Sequence, residues 1–149
     1  MYLKLKLFLM KNLNKILIFT DGGSRGNPGP SAIGVVFTDD NGRVLKEYSR
    51  HLGKATNNQA EYEAVVFALE KAKLLKYKNI ELRIDSELIG RQLLGKYKIK
   101  DPDLQPLFLK VWNLRIDFDN VDIKIIPREQ NREADKLVNR ELDDKSRLF

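Results

Sequence analysis

The sequence predicts an α/β domain built on a five-stranded mixed sheet, three antiparallel strands followed by two parallel ones, with helices on both faces. Three observations carry that prediction. Strand-like runs come first, and helical and strand periodicities alternate afterwards, in the order βββαβααβα. Asn41-Gly42 between two of the early runs is a strong hairpin signal. The run from Ile16 to Asp21 is apolar at both parities, the mark of a central strand covered on both faces.

The elements follow in order. Ile16 to Asp21 is the first strand, and Ala32 to Thr38 and Val44 to Leu52 are the hairpin-linked second and third. Residues 58–76 turn helical, with Val65, Ala68, Ala72 and Leu75 forming one stripe at helical spacing. From Asn79 to Asp85, Ile80, Leu82 and Ile84 alternate with Glu81, Arg83 and Asp85, which is a strand pattern. A helix from Ser86 to about Leu94, a break from Gly95 to Pro102 and a helix from about Asp103 to Arg115 come next. Val121 to Ile126 is the fifth strand, Pro127 ends it, and Asn131 to Leu142 is the last helix. No repeat or linker marks a second domain. Residues 15–142 therefore read as one domain, residues 1–14 as an extension or an alternative start at Met10, and 143–149 as a polar tail.

Composition narrows the chemistry. The 149 residues suit a single domain. The absence of cysteine excludes a disulfide scaffold, a thiolate zinc site, a Cys nucleophile and an iron-sulfur cluster, and the single histidine, His51, argues against a His-based metal centre. A reducing cytoplasm is the default location. No apolar stretch approaches the roughly 18 residues of a membrane span, and Lys4 and Lys6 interrupt the Leu-rich start, which lacks a cleavage site and so is not a signal peptide. Alternation of Leu and Lys there suggests an extra edge strand. With 27 Lys and Arg against 21 Asp and Glu, the formal charge is +6, concentrated in residues 1–15 (+4) and 66–100 (+5). That excess suits either a solvated surface or a polyanionic partner such as nucleic acid.

The acids are more informative than the bases. Asp21 ends the first strand and precedes Gly22-Gly23-Ser24-Arg25-Gly26-Asn27-Pro28-Gly29-Pro30, a loop that lets backbone approach a bulky ligand but is neither a P-loop nor a dinucleotide fingerprint. Glu61 begins the apolar stripe of its helix and so faces the sheet. Asp85 ends the fourth strand immediately before a helix, and parallel neighbours would bring Asp21 and Asp85 to one carboxyl edge. Asp135 lies early in the last helix beside Ala134, Leu137 and Val138. Each has an ordinary reading: Asp21 a turn residue, Glu61 the partner of Asn58 in a capping box, Asp85 a helix cap in competition with Ser86, Asp135 a solvated helix acid. Together they form a histidine-free oxygen donor set that suits Mg²⁺ or Mn²⁺. Two such ions roughly 3.5–4 Å apart serve in-line phosphoryl displacement.

Four segments in this order and spacing resemble type 1 ribonuclease H: Thr20-Asp21-Gly22-Gly23-Ser24 with Gly26-Asn27-Pro28-Gly29-Pro30, Thr56-Asn57-Asn58-Gln59-Ala60-Glu61-Tyr62, Asp85-Ser86, and Pro127-Arg128-Glu129-Gln130-Asn131-Arg132-Glu133-Ala134-Asp135. The resemblance covers about residues 15–142. It implies hydrolysis of the RNA strand of an RNA/DNA hybrid, giving 5′-phosphate and 3′-hydroxyl ends, by a monomer holding two Mg²⁺ or Mn²⁺ ions. It implies metal ligands and catalytic groups at Asp21, Glu61, Asp85 and Asp135. Asn57, Asn58 and Ser86 would contact the substrate, and Asn27 and Thr56 would seat a DNA phosphate. Double-stranded RNA is a second duplex within reach.

The sequence departs from that pattern in three places. Glu87 follows Ser86 where many relatives carry Gln. The loop before Asp135 has no histidine, leaving Arg128 or Glu129 as substitutes. The basic protrusion that some relatives insert is absent, although Lys96, Tyr97, Lys98 and Lys100 form a short basic stretch that could face the DNA strand or simply be solvated. Two other readings compete: a hybrid or double-stranded RNA binding module with little catalysis, and a DNA-processing nuclease of resolvase or transposase type.

Overall fold

The computed structural model describes residues 1–6 and 15–147. Its elements are β1 (Lys15–Ser24), β2 (Gly29–Thr38), β3 (Val44–Ala55), α1 (Asn57–Leu74), β4 (Asn79–Ile84), α2 (Glu87–Leu93), α3 (Gln105–Arg115), β5 (Asn120–Ile125), a 3-10 turn (Arg128–Gln130) and α4 (Arg132–Arg147). The strands form one sheet in the order β3-β2-β1-β4-β5. β1, β2 and β3 pair antiparallel, and β4 lies parallel to both β1 and β5. The mixed architecture, with three antiparallel strands and then two parallel ones, is the one expected, and the structure adds the order across the sheet, which places β1 beside β4.

The alternation of side chains across β1 separates two cores. Ile16 and Ile18 join Val35, Phe37, Ile80, Leu82 and the α1 residues Tyr62, Val65, Leu69 and Ala72 on one face, where α2 and α3 also pack. Full burial of each large aliphatic side chain there contributes about 1.5–3 kcal/mol. On the other face α4 lays Ala134, Leu137, Val138 and Leu142 against Ala32, Val36 and Phe19. Among the described residues no helix packs closely over β4 on this second face. Its place is taken by Glu81, 1% exposed, whose carboxylate meets Lys15 at 2.7 Å, Arg83 at 2.7 Å and Lys124 at 3.2 Å.

Several boundaries move. α3 starts at Gln105 rather than Asp103, because the Asp101 side chain accepts from the Asp103 amide and closes a turn first. α4 runs to Arg147, past the predicted end at Leu142 and into the segment read as a tail; Asp143 there pairs with Arg25 of the glycine-rich loop. Leu75, the last member of the predicted α1 stripe, is exposed at the C-cap. Residues 2–6 are helical and exposed rather than an edge strand; residues 7–14 and the boundary drawn at 14 lie outside the described residues. Among the described residues, no helix is long and apolar enough to cross a membrane.

Candidate active site

The site is assembled at the carboxyl ends of β1 and β4. Thr20 and Ile84 are register partners on these parallel strands, so Asp21 and Asp85 come one step later at the same level. Ligand oxygens of Asp21, Glu61 and Asp85 all lie within 4.8 Å of one another. All three, with Asp135, line a cleft of about 530 Å³.

Glu61 reaches the cluster because the helix cap leaves it free. The capping box of Asn58 and Glu61, the alternative to a ligand role for Glu61, does not form. Thr56 is the N-cap: its side chain accepts from the Gln59 amide at 3.1 Å, and Gln59 Oε1 accepts from the Thr56 amide at 2.9 Å. One helical step later, Glu61 projects over the sheet edge. Gly22 sets how closely α1 can approach, since a Cβ there would sit 2.3 Å from the carbonyl carbon and oxygen of Ala60.

Asp135 arrives from the opposite face by an equivalent contact. Gly34 is the register partner of Asp21 on β2, and a Cβ at Gly34 would lie 2.3 Å from the Ala134 carbonyl oxygen. Two glycines, one per face, therefore let two helices converge on Asp21. Asp135 lies near enough to Asp21 to raise its proton affinity and accepts from Asn139 Nδ2 at 3.4 Å.

Burial and the neighbouring acids raise the proton affinity of Asp21 and Glu61. Burial, then the charges of Asp85, Glu61 and Asp135, push the Asp21 carboxyl up to about 8. Burial pushes Glu61 up to about 7, against a hydrogen bond from Ser86 and the nearby Arg128 charge, which lower it. A set of hard oxygen donors that destabilise one another as anions is chemically matched to a divalent cation, which reverses the repulsion. The residues therefore fit Mg²⁺ or Mn²⁺ and offer no soft donor for zinc.

The predicted substrate residues divide into two groups. Asn57, Asn58 and Ser86 line the cleft. Asn27 and Thr56 are not among the lining residues and brace the start of α1: Asn27 Oδ1 accepts from the Asn57 amide at 3.1 Å, and the Thr56 side chain caps the helix. Asn57 Oδ1 in turn accepts from the Ser24 amide at 2.8 Å, fastening the glycine-rich loop to α1. Ser86 also caps α2, accepting from the Ile89 amide at 3.2 Å. His51 is remote, its Nδ1 accepting from the Gly53 amide within β3. Arg128 lines the cleft, whereas Glu129 lines a separate groove on the α4 side of the sheet. Lys96, Lys98, Lys100 and Tyr97 line a groove of about 590 Å³ that shares Asn58 with the cleft edge.

Three participants escape the sequence reading. Gly34 carries no signal apart from sitting in an apolar strand. Asn139 reads as one polar helix residue among many. Asn131 reads as a helix-start residue, but its side chain is buried between the strand ends.

A five-stranded sheet of this order with a carboxylate cluster at its carboxyl edge defines a class, and residues 19–141 match the family model described as reverse transcriptase-like. The crystal structure of ribonuclease H1 from Halobacterium salinarum superimposes with a TM-score of 0.85 at 43% identity, covering 87% of this chain and 98% of that one. LC11 ribonuclease H1, isolated from compost, gives 0.82 at 48% identity over 89% and 98%. The same protein in complex with an RNA/DNA hybrid gives 0.84 at 46% identity over 87% and 98%. The chain belongs to the type 1 ribonuclease H family. It spans 65% of the length of the curated Ribonuclease HI of H. salinarum, to which it is 43% identical, and 36% of a bifunctional protein of Mycobacterium tuberculosis, to which it is 40% identical.

Proposed function

We propose that the chain is a metal-dependent endonuclease that hydrolyses the RNA strand of RNA/DNA hybrids, leaving 5′-phosphate and 3′-hydroxyl ends, and that it acts as a monomer in the cytoplasm. The carrying observation is the cluster of Asp21, Glu61 and Asp85 in an open cleft with Asp135 at its side. A binding module would have no use for mutually repelling acids beside a phosphate backbone. The complex of a 46% identical relative with an RNA/DNA hybrid supports the choice of substrate.

Asp21, Glu61, Asp85 and Asp135 are the residues that would hold two Mg²⁺ or Mn²⁺ ions. When bound, the ions supply activation of the attacking water and charge neutralisation at the leaving 3′ oxygen. The chain's own residues position the duplex. Because the Asn57 oxygen is engaged by Ser24, Asn57 offers substrate its amide N–H donors, suited to a 2′-hydroxyl or a base-edge acceptor in the wide minor groove of an A-like duplex. Asn58 joins this cleft to the groove of Lys96, Lys98 and Lys100, which is the path we assign to the DNA strand. Arg128, rather than Glu129, takes the place of the missing loop histidine, because Arg128 alone of the two lines the cleft.

A panel of labelled RNA/DNA hybrid, double-stranded RNA and double-stranded DNA, each with Mg²⁺ and with Mn²⁺, tests the proposal. Cleavage confined to the RNA strand of the hybrid is the expected result. Cleavage of DNA alone would move the chain to the resolvase type, and tight hybrid binding without turnover would make it a binding module.

A further inference from the structure

Asn131 is 1% exposed, unusual for an amide in a loop of exposed residues between the 3-10 turn and α4. Its Nδ2 donates to the Thr20 carbonyl oxygen at 2.9 Å and to Asp85 Oδ2 at 3.1 Å. Both partners are acceptors only, so the amide can face them in one orientation: turned over, Oδ1 would meet a carbonyl and a carboxylate with no proton between them. The consequence is that Asn131 Oδ1 is buried with no hydrogen-bond partner among the described residues. A buried orphan oxygen costs free energy, which a residue filling space alone would have no reason to carry. Asn131 is also tied through its backbone, where its carbonyl oxygen accepts from the Asp135 amide at 3.1 Å.

One residue is thus bonded to two acid-bearing positions, Asp85 and Asp135, and to Thr20, the neighbour of a third. Through Thr20 it holds the end of β1 next to Asp21, it binds Asp85 directly, and it caps the turn that carries Asp135. We propose that Asn131 is a positioning residue for the metal centre: its amide fixes the spacing of the β1 and β4 ends and holds one Asp85 oxygen, so that the other is presented to the cation. The inference rests on the functional reading above, that these acids bind divalent cations. It concerns a residue that contacts a ligand of the site and not the reacting atoms. Groups in this relation to metal ligands typically change metal affinity by about 10–100-fold when removed.

The experiment uses the whole chain. Mn²⁺ binding is measured by titration calorimetry without nucleic acid, and kcat and KM are measured on a hybrid substrate. The variants are Asn131→Ala, Asn131→Leu, which keeps the side-chain volume without the donor, and Leu69→Val, a core change remote from the acids that loses stability alone. The expected result is weaker Mn²⁺ binding by about 10–100-fold in both Asn131 variants, with kcat lowered, KM for the hybrid unchanged, and wild-type binding by Leu69→Val. Wild-type Mn²⁺ affinity and kcat in Asn131→Leu, with only thermal stability lost, would overturn the proposal. A wild-type chain that binds no Mn²⁺ and leaves the hybrid intact would overturn the functional reading and this inference together.

Discussion

Asp21 carries the electrostatic conflict of the site. Its carboxyl is raised from an ordinary value of 3.8 to about 8, so the folded chain holds a proton there that the unfolded chain releases. With metal chelated, the Asp21 contribution to stability is full below the unfolded value and is lost as pH rises between about 4 and about 8, and Glu61 adds a loss of the same sign up to about 7. Asp21→Asn removes the charge, so in chelator at pH 8 its melting temperature should exceed that of the wild type. Each kcal/mol is worth about 2–4 °C in a chain of this size, and differential scanning calorimetry reads the difference. Arg128 lowers the proton affinity of Glu61, so Arg128→Ala should move the acidic limb of the pH–rate profile to higher pH, and Arg128→Lys should restore it. Asp21 and Asp85 stood out as strand-end acids and Glu61 as a charge on an apolar stripe, whereas Asp135, by itself an ordinary helix acid, gained weight only in the company of the other three. Asn131 was not legible, since an Asn before a helix is chemically ordinary, and only the packing of β1, β4 and α4 reveals its two acceptors.

At the scale of elements, two helices reach Asp21 only because the strands beneath them are bare at Gly22 and Gly34. Gly34→Ala places a methyl group against the Ala134 carbonyl oxygen and should cost at least about 1–3 kcal/mol by overpacking, read by urea denaturation, with activity falling as α4 is pushed away. Thr56→Ala removes the α1 cap and should cost about 1 kcal/mol by the same measurement. Period and punctuation were enough to find the five strands and the four helices packed on them, because β1, β2 and β4 and the inner stripe of α1 are strongly apolar. The cap of α1 was misread for a physical reason. Thr56, Asn57 and Asn58 are all good cap residues, and both Gln59 and Glu61 sit three positions after one of them. Backbone entry into the helix decides for Thr56, which is what releases Glu61 to the site. The close approaches at Gly22 and Gly34 are long-range contacts that no local pattern encodes.

For the whole molecule, the net charge of +6 is a poor guide until it is placed. The acids gather in one cleft, while Lys96, Lys98 and Lys100 line the groove that meets it at Asn58. A second buried acid responds to pH in the opposite sense. Burial alone would raise Glu81, but Lys15, Arg83 and Lys124 outweigh it and hold the carboxyl at about 2, below its ordinary 4.5. Stability from Glu81 is therefore full above about 4.5 and lost as pH falls toward about 2, so Glu81→Gln should flatten the acid side of the stability profile and leave the Asp21 side unchanged. The central claim, that the acid cluster hydrolyses RNA paired to DNA, is tested most directly by following a hybrid labelled in the RNA strand with wild type and Asp21→Asn in Mg²⁺ or Mn²⁺. RNA-strand cleavage by the wild type and none by a folded Asp21→Asn is the expected outcome; undiminished cleavage by that variant would show that the acid cluster does not carry the reaction.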